Sequence, residues 1–355
     1  MACSAAVTAT GIWPINCSLA ATPPHGTAHT AAPAANFATT LASVNRAPLV
    51  QVLGLPAASD VEMLRTQLEP GSTALWWRIS LSSFNFSSQS QARDSNGTIR
   101  ESILLDGELT RLALTARKKM GERAAFALTI PYIAHHSGNA DQAIEQWHRL
   151  FGLPNSNRDL REQDLLVYDY QRDGQQRLRL DRNVAGIGDI NLEWQQLLGK
   201  SAAGTATALR LGIKIPSGDA DKFSGSGSGA AYAEFAAAGR TGTAALWRWQ
   251  ASGGLLLSEG GGLLGDLRRK AIVFGSAALA RRIDQRWQLK AQLESHSKAY
   301  RSDTNEIGKQ GLQLALGLGL QASPAMQWEL FFTEDLITRS SPDFGLGISL
   351  RYLPR

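Results

Sequence analysis

His135 and His136 stand beside Ser137, with Asp141 and His148 close behind, a set of residue types able to ligate a metal ion. A zinc site needs three or four ligands that converge. Neighbouring residues at a strand end point to opposite faces, so the histidine pair does not supply two of them, and solvent-exposed loop histidines are expected instead. In "LESHSKAY", Ser295 and Ser297 flank His296, the residue types of a hydrolase nucleophile and base. The strand phase sends both serines outward and the histidine inward, which separates the base from either nucleophile. Asp189, Asp219 and Asp221 could meet a cation such as calcium, but they lack the spacing of an EF-hand loop. "GIGD" at 186–189 and "GSGSG" at 225–229 have the glycines of a phosphate cradle without the helix that must follow. The sequence therefore points to no catalytic residue, no metal site and no cofactor.

What remains able to do chemistry is a set of charges placed on one face of alternating segments: Arg78, Glu193, Arg210, Lys214, Glu234, Arg248, Lys290, Glu294, Glu329 and Arg351. The elements that carry them have period 2. Leu209, Leu211, Ile213 and Ile215 alternate with Arg210, Gly212 and Lys214, and Phe344 to Tyr352 alternate with glycines, Ser349 and Arg351. Such alternation marks strands with one apolar and one polar face. Twelve of them are predicted, near 73–88, 99–117, 123–133, 188–199, 205–215, 228–238, 243–258, 269–282, 285–298, 309–321, 325–334 and 343–353.

The connections alternate between tight turns, such as "RIDQ" and "SPA", and long loops, such as "PSGDADKFSGSGSG" and "KAYRSDTNEIGK". Membrane barrels have this parity, with short periplasmic turns and longer extracellular loops. A Greek-key sandwich has no reason to keep it. Trp77, Trp247, Trp249, Trp287, Trp328 and Tyr352 gather at the turn ends, and Tyr132, Tyr300, Phe332 and Phe344 at the opposite rim, the arrangement of two membrane-interface girdles. The inward charges would either pair across the interior and seal it or line a water-filled passage.

Composition narrows the classes. The chain has 355 residues and no run of about 18 apolar residues, which excludes a transmembrane helix but not a barrel. The net charge of +5 comes from Lys and Arg spread along the chain rather than clustered, so nucleic acid is not an expected partner. Both cysteines, Cys3 and Cys17, fall in the first twenty residues, which leaves no disulfide framework in the body.

Three segments lie outside the wall pattern. Residues 1–45, rich in Ala, Thr and Pro and free of Lys and Arg, read as a tether or an export signal peptide. Residues 46–72 read as a periplasmic or plug-like segment, with "DVEMLRTQL" a short helix ended by Pro70-Gly71. The barrel, 73–355, contains the insertion 134–187. There "NADQAIEQWHRLFGLP" predicts one extracellular helix, and Asp173-Gly174 predicts a hairpin above the membrane or, as an alternative, two more wall strands.

The segments "PLVQVLGLP", "LLDGELTRLAL", "IPYIAHHSG", "EQWHRLFGLPNSNRD", "GIGDINL" and "FTEDLITRSSPDFGLGISLRY" together resemble an uncharacterised family of Gram-negative bacterial proteins regarded as outer-membrane β-barrels. The likeness runs from about residue 46 to the end. It implies location and architecture only, since the family has no agreed activity and no catalytic residues to carry over. The expectation is an all-β transmembrane antiparallel up-and-down barrel of about twelve strands with one short extracellular helix. It would sit in the outer membrane with both termini periplasmic. Its partners would be outer-membrane lipids, the barrel-assembly machinery and a small solute. The leading function is a passive channel or structural envelope component. The alternatives are an outer-membrane enzyme acting on lipid or lipopolysaccharide near His135, His136 or His296, and a receptor or adhesion barrel acting through loops 134–187 and 216–227.

Overall fold

Alternation of side chains across a pleated backbone dictates the architecture, because a strand with one apolar and one polar face must bury one of them. The computed structural model describes residues 37–42, 46–72, 74–138, parts of 142–152, and then 164–201, 204–241, 246–336 and 342–354. In chain order the strands are β1 Leu75–Arg93, β2 Ile99–Met120, β3 Ala124–His136, β4 Val167–Arg172, β5 Gln175–Leu180, β6 Val184–Ile187, β7 Ile190–Lys200, β8 Ala206–Ile215, β9 Ala230–Thr241, β10 Trp247–Ser258, β11 Ala271–Arg282, β12 Trp287–His296, β13 Gly311–Ser323, β14 Met326–Asp335 and β15 Phe344–Tyr352. The helices are α1 Pro48–Gln51, α2 Val61–Leu68 and α3 Asn305–Gly308.

Twelve strands form the wall. All neighbours are antiparallel, and β1 closes the ring by pairing with β2 on one side and β15 on the other, Trp77 opposite both Ala116 and Tyr352. Closure leaves the wall without a free edge. The hairpin β4–β5 extends the upper part of β2, where Glu101 to Asp106 pair with Arg172 to Val167, so it stands above the ring and the wall holds twelve strands rather than fourteen. Its turn has Asp173 at φ 51° and Gly174 at φ 76°, the left-handed pair that a two-residue hairpin of matching twist requires.

The two faces of the wall are inverted relative to a water-soluble barrel. Outward positions expose Ile79, Leu81, Leu112, Leu114, Leu211, Ile213, Leu289, Leu330 and Ile348, whereas inward positions bury Ser80, Ser82, Arg210, Gln250, Lys290, Gln292 and Arg351. The leucines of β13 follow this phase: Leu316 is exposed while Gln313 and Ala315 are buried.

Three expectations need correction. The loop after β1 shrinks to a turn at 94–98, because β1 and β2 continue pairing almost to Asp94, whose carboxylate accepts from the backbone N–H of Asn96 and Thr98. Tyr300 is fully buried and donates to the carbonyl of Leu49 at 2.7 Å, so it is not a rim aromatic. His135 is 1% exposed rather than a solvated loop residue, because β3 runs on through it and turns it inward. Of the described helices, α2 is the short helix expected before Pro70-Gly71, and α1 precedes it in the N-terminal segment. The helix expected at 139–152 falls for the most part outside the described residues, and its described positions Gln142, Glu145, Gln146, Arg149 and Leu150 are helical.

Candidate functional site

The interior of the barrel is the place where sequence and fold bring charged groups together, and residues 37–42 and 46–72 fill much of it. The segment rises and then descends. Near the turn end, Arg248 donates to the carbonyl of Phe37 at 2.6 Å. Higher up, Lys290 donates to the carbonyl of Thr40 at 3.0 Å, Gln292 accepts from the backbone N–H of Leu41 at 2.8 Å, and Arg46 meets Glu294 at 3.3 Å. At the loop end α1 and the turn after it pack Leu49, Val50 and Leu53 into an apolar cluster with Phe84, Leu105, Ile133, Tyr168, Phe223 and Ile272.

The descending leg passes Arg210, which donates to the carbonyl of Ala57 at 2.7 Å, and Gln250, which donates to Ser59 and accepts from the N–H of Val61 at 2.9 Å. The helix α2 then starts at Asp60, whose carboxylate caps the N–H of Met63 at 3.1 Å, and stops before Pro70. Its Val61, Leu64 and Leu68 pack on inward-facing Ala125, Ala206, Ala208, Ala236 and Ala238. Alanines at these wall positions leave the width that a helix needs inside a barrel of this size. Elsewhere glycine does the same: a Cβ on Gly317 would lie 2.5 Å from Leu41 Cδ2 and would collide with the plug. The space over Gly317 and Gly319 is thus occupied by Leu41 and Phe37.

All ten inward charges predicted from the sequence point into this interior, and most find partners there. Arg210 meets Glu234 at 2.6 Å and Glu193 at 3.5 Å; Lys290 pairs with Glu329; Lys214 pairs with Asp189; Arg351 lies 3.6 Å from Asp60 of the plug. Arg248 and Glu294 hold the plug as described. Arg78 has no carboxylate within 4.0 Å among the described residues. Among the plug groups with shifted acidities are Arg46 and Glu62. Burial pushes the Arg46 guanidinium down, against the pull of Glu294. Burial would raise the Glu62 carboxyl, but hydrogen bonds and charge from Arg65 and Arg240 prevail and hold it at about 2.

Between the descending leg and the wall of β1, β2, β3, β7 and β8 lies a polar cavity of about 90 Å³. It exposed two residues that the reading of the sequence missed: Arg111 and Arg117, both inward on β2 and both buried. The signal was present, because 111, 113, 115 and 117 share one phase of the strand. Trp76, also inward, is sandwiched by Arg117 at 4.9 Å and Arg351 at 5.4 Å. Of the turn-end aromatics, Trp77, Trp247, Trp287 and Tyr352 are exposed on the outer face, and Trp249 and Trp328 are half-buried there.

The remaining candidates have other engagements. His135 bridges Tyr168 at 3.3 Å and the carbonyl of Phe223 at 3.1 Å, while His136 meets Thr110 at 2.9 Å. His296 faces inward and contacts the carbonyl of Ser297, and Ser295 is exposed. Asp189 does bind a cation, but that cation is Lys214, with the N–H groups of Gly218 and Ser226 completing its shell at 2.9 and 3.1 Å. Asp219 accepts from the N–H of Asp221 within its own loop.

Among solved structures the chain is similar to an outer membrane channel from Pseudomonas putida F1, at 11% identity and a TM-score of 0.50, covering 81% of this chain and 99% of that one. It is also similar to a FadL homologue from Pseudomonas aeruginosa, at 8% identity and a TM-score of 0.41, covering 89% and 99%. At 11% identity the likeness to the Pseudomonas putida channel speaks for the fold alone. No curated protein matches. A family model, that of a protein of unknown function named DUF3187, matches residues 27–353, nearly the whole chain. The chain belongs to the DUF3187 family.

Proposed function

We propose that the protein is an outer-membrane channel for small polar solutes, closed in this conformation by its own residues 37–72. The apolar outer face and the ring without edges are what a bilayer requires of a sheet that crosses it. In that setting the turn ends, the entry of the plug at Phe37 and the C-terminal strand end at Tyr352 face the periplasm, and the turn-end aromatics lie at the lipid interface. Outer-membrane lipids are then the solvent of the outer face, and insertion falls to the barrel-assembly machinery. The Pseudomonas putida neighbour, itself an outer membrane channel, supports the architecture and not the activity.

The observation that carries the reading is the polar cavity alongside the plug. A barrel serving only as a wall could fill its interior with packed apolar side chains, as the loop-end cluster does. Here Thr115, Thr129, Asn191 and Gln195 line open space instead. Wall side chains hold the plug largely through its backbone carbonyls, contacts that water can replace when the segment moves. Single-channel recording in planar bilayers tests the proposal. Brief openings separated by long closed intervals are expected, and heat-modifiable, correctly folded protein that never conducts would leave only a structural envelope role.

A further inference from the structure

We infer that the cavity is a binding track for small anionic solutes bearing a carboxylate or phosphate group, with Arg78, Arg111 and Arg117 as its recognition residues. The cavity is lined by six cations, Arg78, Arg111, Arg117, Arg210, Lys214 and Arg351, and by three carboxylates, Asp60, Asp189 and Glu193. Each carboxylate is matched: Asp60 to Arg351, Asp189 to Lys214 and Glu193 to Arg210. Three guanidiniums are left over, with no carboxylate within 4.0 Å among the described residues.

Their donors are also unfilled. Nε of Arg78, Nε of Arg111 and both Nε and Nη1 of Arg117 are buried without a hydrogen-bond partner, and Arg117 has one side-chain acceptor, Gln195. Arg111 is 8% exposed and Arg117 5%. A buried charge in this state needs an opposite charge or a polar ligand. Register sharpens the point, since Arg78 stands directly across from Arg351, like charge facing like. On β2, Arg111 and Arg117 lie six residues apart on one face, roughly 20 Å along the strand, and Arg78 projects between them opposite Thr115. The result is a ladder of forked donors suited to oxyanions. The space, about 90 Å³, fits a phosphate or a short carboxylate rather than an oligomer.

The assignment rests on the channel reading only for the use made of the site, because binding can be measured without conduction. The full-length protein in detergent would be titrated calorimetrically with inorganic phosphate, and separately with acetate, at constant ionic strength. Saturable binding to the wild type is expected, weakened about tenfold or more by R78Q and by R111Q, the loss of one charge-assisted contact. R281Q, which removes an exposed cation stacked on Trp247 outside the cavity, should bind as the wild type does. Phosphate should also raise the melting temperature of the wild type more than that of R78Q. Saturation by phosphate but not acetate would assign the phosphate class, and the reverse the carboxylate class. No saturable binding of either, or equal weakening by R281Q, would overturn the proposal, whatever the conductance measurements show.

Discussion

The two sides of the barrel interior handle the same problem, buried charge, in opposite ways. Along β8 to β15 cations meet carboxylates: Lys290 with Glu329, Arg210 with Glu234, and Arg46 of the plug with Glu294. Along β1 and β2 the guanidiniums of Arg78, Arg111 and Arg117 face a cavity and have no such partner among the described residues. The paired side anchors the ascending leg of the plug, and the unpaired side is where the descending leg leaves space. On the channel reading proposed above, closure and passage fall to different strands.

Breaking the paired side should have the largest effect. Arg46→Ala leaves Glu294 buried without its cation, which should cost about 3–5 kcal/mol in plug docking. It should also lengthen channel openings, whereas Arg78→Gln on the unpaired side should change melting by no more than about 1 kcal/mol and leave opening times unaltered. Similar losses from both substitutions in thermal unfolding would erase the distinction. Next comes the outer face: Leu316→Arg, exposed in mid-strand, should destabilise the protein in lipid by about 2–4 kcal/mol. Replacing its neighbour Gly317 by leucine should instead push Leu41 aside and raise conductance, with a loss in urea titration that reflects the 2.9 Å approach of its Cβ to the Leu330 carbonyl oxygen.

Acid probes the foot of the plug. The folded-state acidity of Glu62, about 2, lies below the ordinary carboxylate value near 4.3, so its contribution is complete above that value and is lost as the pH falls toward about 2. The melting difference between wild type and Glu62→Gln should therefore shrink between pH 5 and pH 2, and a difference that stays constant would contradict the assignment. The smallest effect is expected above the ring. Arg177 and Asp266 form an exposed pair at 2.8 Å, and Arg177→Ala should cost under about 1 kcal/mol, measured by exchange of the β4–β5 hairpin amides.

Much of the wall was legible because period 2 and turn parity are local signals. Each predicted strand has its counterpart, and Asp173-Gly174 formed the hairpin expected of it. The helix α2 was also legible, from Asp60 at its start and Pro70-Gly71 after its end. What lay hidden depends on contacts between segments far apart in the chain. Nothing near Tyr300 announces that it will donate to Leu49, and nothing near Ala206 or Ala236 says that a helix from residue 61 will lie on them. The pairing of inward charges was open for the same reason, since two of the partners, Arg46 and Asp60, come from the plug. Arg111 and Arg117 were legible in phase but were overlooked among charges with more regular surroundings.

The central claim, that residues 37–72 close the lumen, is tested most directly by tying the plug to the wall. Cysteines at Leu41 and Gly317, with Cys3 and Cys17 replaced by serine, should form a disulfide, since a Cβ at 317 would touch Leu41. Recorded in planar bilayers, the oxidised protein should stay closed and the reduced protein should open. Openings of equal frequency and size in both states, with the bond confirmed by mass, would contradict the account.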